Sequence, residues 1–193
     1  MTSRKVLLVA LATQGGLILV SWWCARAFDL PPRWGLPERD IAVGVVAAAG
    51  LAAVNHTLLT RAPSNWIVDG VRAIFHDTIV PLFGSLGPLS AVAIGAAAGV
   101  GEEWFFRGIV QPIVGVAPAS VLFGLAHVGG MRMLPFGVWA TGMGLIMAAL
   151  AVVTGGLLAP IVAHGVYDML ALHYIRRTAN RWHLPIEPGA HIQ

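Results

Sequence analysis

The sequence predicts an all-α, polytopic membrane bundle, and three observations carry that expectation. Of 193 residues, 57% are hydrophobic and only 11% are charged, where a soluble domain carries about 25% charged residues. The mean hydropathy is +0.77. The apolar residues also fall into long runs, most of them near the roughly 20 residues that span about 30 Å of hydrocarbon. A soluble chain of this length would have to bury nearly every helix on all sides, and it has too little interior to do so.

Taken in order, the expected spans are Val6–Phe28, Ile41–Leu59, Leu86–Gln111, Ala117–Gly130, Leu134–Val153 and Leu157–Ile175, six in all. The first follows Arg4 and Lys5 as a signal peptide would. It is too long for a signal h-region, however, and ends in Trp22 and Trp23 rather than a small-residue cleavage site, so it is read as a retained span. Proline and glycine punctuate the links at Asp29–Pro37, Arg61–Asn65 and Thr154–Gly156. Between the second and third spans, Asn65–Val80 mixes Ile67, Val71, Ile74 and Phe75 with Asp69, Arg72, His76 and Asp77. That spacing gives one apolar stripe, so an interfacial amphipathic helix is expected. No repeat or low-complexity tail divides residues 1–193, which read as a single membrane domain. Arg4, Lys5, Arg61, Arg72, Arg132, Arg176, Arg177 and Arg181 share one side, and Arg26, Arg33 and Arg39 the other. By the positive-inside rule both termini are cytoplasmic. The expected location is a plasma membrane, the inner membrane of a bacterium.

Ionisable residues inside such spans are costly and are functional candidates by default. Pro88 to Val100 carries no charge, and then come Glu102, Glu103 and Arg107 in Gly101-Glu-Glu-Trp-Phe-Phe-Arg-Gly108. Glu103 and Arg107 are four residues apart, on one helical face. Phe123 and His127 repeat that spacing on the next apolar segment, and His164 and Asp168 repeat it on the last. Singly, each pair has a structural reading: a helix-bridging hydrogen bond or an internal ion pair. Together they form a set that packing does not need. Counted along their spans, Glu102, His127 and His164 lie about 18, 15 and 10 Å from the outer end, close enough in level to meet. The expected site is in the outer half of the bilayer, reached by a water-filled cleft. A carboxylate beside an imidazole can deprotonate a water, and a second imidazole can donate to a developing oxyanion. Alternatively, Glu102, His127 and His164 could serve as three zinc ligands with an open position for water. No H-E-x-x-H is present, and no serine or cysteine stands beside a base in motif spacing.

Glu102-Glu-Trp-Phe-Phe-Arg107, Phe123-Gly-Leu-Ala-His127 and His164-Gly-Val-Tyr-Asp168 resemble, in order, the E-E-x-x-x-R, F-x-x-x-H and H-x-x-x-N/D motifs of the CPBP intramembrane proteases. This family includes the type II CAAX prenyl endopeptidases and the Abi-type bacteriocin-processing and immunity proteins. The resemblance covers about residues 86–175. It implies an intramembrane endopeptidase in which Glu102 and His127 activate water, and His164 and Asp168 form the oxyanion side. Glu103 and Arg107, with Phe123, would hold the geometry. The family's glutamate-dependent mechanism favours a site without a metal cofactor, with zinc as the alternative. The third motif ends in Asp168 rather than Asn, and an ionised carboxylate cannot donate a hydrogen bond. The implied partners are a membrane-anchored protein or peptide substrate and the lipid bilayer, with no nucleic acid. An outward-facing site would suit removal of a C-terminal anchor from an exported protein. Competing functions are a non-catalytic immunity or scaffold protein of the same fold and a proton-coupled carrier. A carrier usually shows two related halves, and no second set precedes residue 86.

The other notable residues have plainer readings. His56 caps a span beside Asn55; His76, Asp77, His173, His183 and His191 are surface residues; Cys24 is a small apolar residue. Trp22, Trp23, Trp34, Trp66 and Trp182 suit interfacial belts, and Trp104 packs beside the glutamates. Gly124, Gly129, Gly130, Gly142 and Gly144 permit close helix approach, and Gly165 leaves space beside His164.

Overall fold

A computed structural model describes residues 2–182. Within them seven helices follow one another: α1 (Ser3–Ala27), α2 (Pro37–Thr60), α3 (Trp66–Phe83), α4 (Pro88–Val114), α5 (Val116–Ala126), α6 (Leu134–Thr154) and α7 (Leu158–Trp182). No strand occurs among the described residues. His183 and His191 lie outside the described residues.

The outside of the bundle is apolar, with Leu89, Val153 and Val46 exposed by 85%, 80% and 72%. Its interior holds Ser21, Asp40, Glu103 and Ser120, each with at most 1% exposure. Apolar surface facing outward around buried polar groups is the arrangement of a protein solvated by lipid. Four helices, α1, α2, α6 and α7, are long and apolar enough to cross a membrane. The number rises to five if α3 and α4, bent by 115° at their junction, are counted together. This corrects the expected six. The residues of the fourth expected span form only α5, whose 11 residues reach about 16 Å. Residues 127–130 turn instead of continuing that helix. In α4, three charges within six residues lower the hydropathy of an otherwise apolar helix.

Chain direction assigns two ends to the bundle. One holds the start of α1 and α4 and the finish of α2 and α7; Ser3 and Ser85 meet there, Oγ to Oγ, at 2.9 Å. The amphipathic α3 lies at this end, burying Val71, Ile74 and Phe75 of the expected stripe together with Val68, while Ile67 is only partly buried. Asn65 caps it by accepting hydrogen bonds from Ile67 and Val68 N–H. Arg72 donates to the carbonyls of Leu58 and Ala62, tying α3 to the end of α2. The other end is closed by the segment 28–36. Leu157 and Leu158 N–H donate to Arg33 and Trp34 carbonyls. The buried Asp40 accepts from Leu36 N–H and pairs with Arg39, whose Nη2 donates to Thr154 O. Exposed tryptophans mark both ends: Trp22, Trp23 and Trp34 at one, Trp66 at the other. Gly115, with φ of +90°, lets α4 turn directly into α5.

A close backbone contact joins α4 to α7. A Cβ on Gly99 would stand 2.6 Å from Ile161 O and 2.9 Å from Gly165 N, and one on Gly95 would stand 2.7 Å from Gly165 O. Gly165 therefore serves packing, against Gly95. Gly124 and Gly144 bring α5 and α6 together as expected, but Gly130 and Gly142 face open space and support no contact. Because the Gly99 obstruction is backbone, the helices themselves must separate to admit a methyl group. Gly99→Ala is expected to lower stability by about 1–3 kcal/mol. Gly50→Ala, where nothing lies within 4 Å, should leave it unchanged or slightly raised. Thermal unfolding of the two purified variants in detergent makes the comparison.

Candidate active site

Midway along α4 the two glutamates diverge because neighbouring residues on a helix point about 100° apart. A π-helical turn over Trp104–Val110 follows them at once, a feature that recurs at functional sites. Glu103 is fully buried. Its Oε1 accepts a hydrogen bond from His164 Nδ1 at 2.6 Å, and Arg107 Nε stands 3.1 Å from its Oε2. Arg107 also donates from Nη2 to Gly144 O of α6 at 2.8 Å. Its guanidinium lies over the Phe123 ring, 4.6 Å from the centroid, a geometry favoured by the ring quadrupole. Glu103 and Arg107 thus join α4, α5, α6 and α7.

Glu102 faces the other way. Its Oε2 lies 3.8 Å from His127 Nε2 and 4.0 Å from His164 Nε2, and Asp168 Oδ2 lies 3.7 Å from His164 Nε2. The sequence-predicted residues Glu102, His127, His164 and Asp168 are therefore one cluster, with Glu103, Arg107 and Phe123 beneath it. His127 sits at the last turn of α5, where its Nδ1 donates to Phe123 O at 2.8 Å. That bond places Nε2 as the nitrogen toward Glu102. Phe123 packs against both imidazoles, with ring centroids 4.7 and 5.9 Å away.

One member was missed. Gln14 of α1 donates from Nε2 to Glu102 Oε1 at 2.7 Å. A lone amide within the first apolar run was the available signal. Glu102 Oε2, in contrast, is buried without a hydrogen-bond partner in the protein. Separations of 3.8 and 4.0 Å are too long for direct hydrogen bonds, yet they suit one oxygen about 2.8 Å from each group.

Among the described residues no three His, Cys, Asp or Glu side chains are arranged to hold a metal ion. The alternative zinc set of Glu102, His127 and His164 is not among such groups in this arrangement.

A cavity of about 350 Å³, lined mainly by apolar side chains, reaches His127 and Asp168. Its walls include Val71, Phe75 and Phe83 of α3, Leu59 of α2 and Ile175 of α7, so it lies toward the end that holds the N-terminus. At the opposite end, a recess of about 500 Å³ reaches Arg107 and Gln111 but none of the imidazoles. A smaller cavity of about 100 Å³ is lined by both imidazoles, with Phe123, Trp139 and Asp168, while α3 walls the larger one at the near end. His56, His76 and His173 are exposed and apart from the cluster; His56 packs its edge on Tyr174.

Fold and cluster together define a polytopic helical membrane protein with a carboxylate–imidazole centre inside its bundle. Residues 84–170, a little under half of the chain, match the family described as type II CAAX prenyl endopeptidase Rce1-like. All three motifs fall within this match, so the segment that carries the site is similar to the CAAX protease-like membrane proteins. No curated protein and no solved structure matches the chain.

The ion pair beneath the site yields a stability test. Removing one partner of a buried pair leaves a charge uncompensated, at a cost of about 3–5 kcal/mol. Arg107→Ala is expected to lower membrane abundance and the unfolding temperature accordingly. Adding Glu103→Gln to it should restore part of the loss. Thermal unfolding of the single and double variants reads both effects.

Proposed function

We propose that the protein is an intramembrane endopeptidase that hydrolyses a peptide bond in or near a membrane-anchored segment, using a water activated by Glu102 and His127. The observation that carries this reading is the unpartnered, buried Glu102 Oε2 facing two imidazole Nε2 atoms at 3.8 and 4.0 Å. A water between Glu102 and His127 would donate one hydrogen bond to each. Glu102 would take its proton as the oxygen attacks the scissile carbonyl carbon. The carbonyl oxygen then carries the negative charge, and a protonated His164 has an Nε2–H to offer it. His164 is held for that role by its Nδ1–H bond to Glu103. On collapse the C–N bond breaks, and the proton on Glu102 passes to the leaving amine. Asp168 faces His164 Nε2 without bonding to it, a negative charge set opposite the imidazolium.

The apolar cavity supports a substrate with a hydrophobic segment or lipid anchor. Such a segment would enter from the end holding the N-terminus, with its scissile bond at the rim formed by His127 and Asp168. If the arginine distribution orients the chain, that end faces the cytoplasmic leaflet. The match to type II CAAX prenyl endopeptidases makes a prenylated C-terminal peptide the first substrate to try.

An internally quenched farnesylated peptide, offered to purified protein in micelles, tests the reading. The wild-type protein should cleave it, and Glu102→Gln should abolish cleavage while membrane abundance stays normal. His127→Ala is expected to lose at least about 100-fold, the usual scale of general acid–base assistance. Full activity in Glu102→Gln would refute the assignment. Cleavage should also survive exhaustive chelation. Loss to chelator, with restoration by zinc at one metal per chain, would replace the water-activating pair by a metal site.

A further inference from the structure

Only one hydrogen bond described above reaches the site from outside the family-matched segment, and it comes from α1. Gln14 is 9% exposed in a helix whose neighbouring Ala12, Thr13 and Leu19 are exposed. An amide turned inward at mid-span needs a partner, because burying it without one is costly. Its partner is Glu102 Oε1, at 2.7 Å. A carboxylate only accepts, so the amide must present its NH₂ there. Gly101 makes room for this approach: a Cβ would stand 2.7 Å from Gln14 Oε1 and 3.0 Å from Gln14 O.

We propose that Gln14 is a positioning residue for Glu102, its amide holding one carboxylate oxygen so that the other faces His127 and His164. The inference rests on Glu102 being the base. The last torsion of a glutamate side chain is broad and nearly two-fold, so packing alone does not decide where each oxygen points. The surrounding groups share the work unevenly. His127 from α5, and His164 and Asp168 from α7, face the Oε2 side or one another. On α4 itself, Arg107 and Glu103 are engaged with each other and with His164. The Gln14 bond leaves Oε1 occupied and Oε2 free, which is the division that a water-activating carboxylate requires. Site function thereby extends to the first helix, outside residues 84–170.

Gln14→Met keeps an unbranched side chain of similar length and removes only the donor. Cleavage of the farnesylated quenched peptide should then show kcat lowered about 10- to 100-fold, the scale of a misplaced catalytic group, with KM and thermal stability near wild type. Gln14→Asn, which retains the amide but withdraws it by one methylene, should behave alike and serves if the Met variant does not fold. A second readout needs no substrate. Infrared difference spectra of wild type against Glu102→Gln isolate the Glu102 carboxylate stretch, and Gln14→Met should shift that band. Wild-type kcat in both Gln14 variants, or an unmoved band, overturns the proposal. So does a loss of kcat that merely follows a loss of folded protein. The two ideas fail separately: an active Glu102→Gln refutes the base itself, whereas an inactive Glu102→Gln beside a fully active Gln14→Met refutes only the positioning role.

Discussion

Glu103 is a carboxylate with no exposed surface at the centre of an apolar bundle, and most of the site's order depends on how its charge is satisfied. Water cannot solvate it there, so the protein must. Arg107 supplies the opposing charge and His164 a short hydrogen bond. Those two obligations fix the register of α4 against α7. Arg107 in turn needs partners for its remaining donors. It finds Gly144 O on α6 and the Phe123 face on α5. One buried carboxylate therefore organises four helices without itself facing the proposed substrate.

The two adjacent glutamates divide structural and chemical labour for a geometric reason. A step of about 100° along α4 turns one toward the interior ion pair and the other toward the imidazoles. Glu103 is enclosed by Arg107 at 3.1 Å and His164 at 2.6 Å, whereas Glu102 Oε2 faces its imidazoles at 3.8 and 4.0 Å, beyond hydrogen-bond reach. Small residues make the enclosure close enough to work. Gly95, Gly99 and Gly165 bring the backbones of α4 and α7 into contact, which is what allows His164 to reach Glu103.

Two closures at opposite ends give the bundle its polarity. Segment 28–36 is fastened to the α6–α7 turn by backbone hydrogen bonds and by the Arg39–Asp40 pair. At the other end, α3 crosses at a steep angle to α4 and leaves an apolar cavity leading to His127 and Asp168. The recess at the first end stops at Arg107. The larger cavity beside His127 and Asp168 therefore lies toward the side that holds the N-terminus.

The sequence by itself determined the all-α membrane class, the boundaries of α1, α2 and α6 and the start of α7 to within a few residues, and the seven clustered residues from Glu102 to Asp168. Each of these rests on local information: runs of apolar residues, turn-forming proline and glycine, and ionisable groups whose cost inside such runs demands a role. The apolar stripe of α3 was legible for the same reason. Span number was less so, because the apolar run from Ala117 to Gly130 does not reveal that its helix stops at Ala126. Three features belonged to the tertiary structure alone. Gln14 reaches Glu102 across 88 residues of chain, the Glu103–His164 bond crosses 61, and the cavity exists only because α3 folds over one end. No spacing rule relates residues so distant. Their meeting is set by which helix faces can pack closely, and that depends on the whole bundle at once.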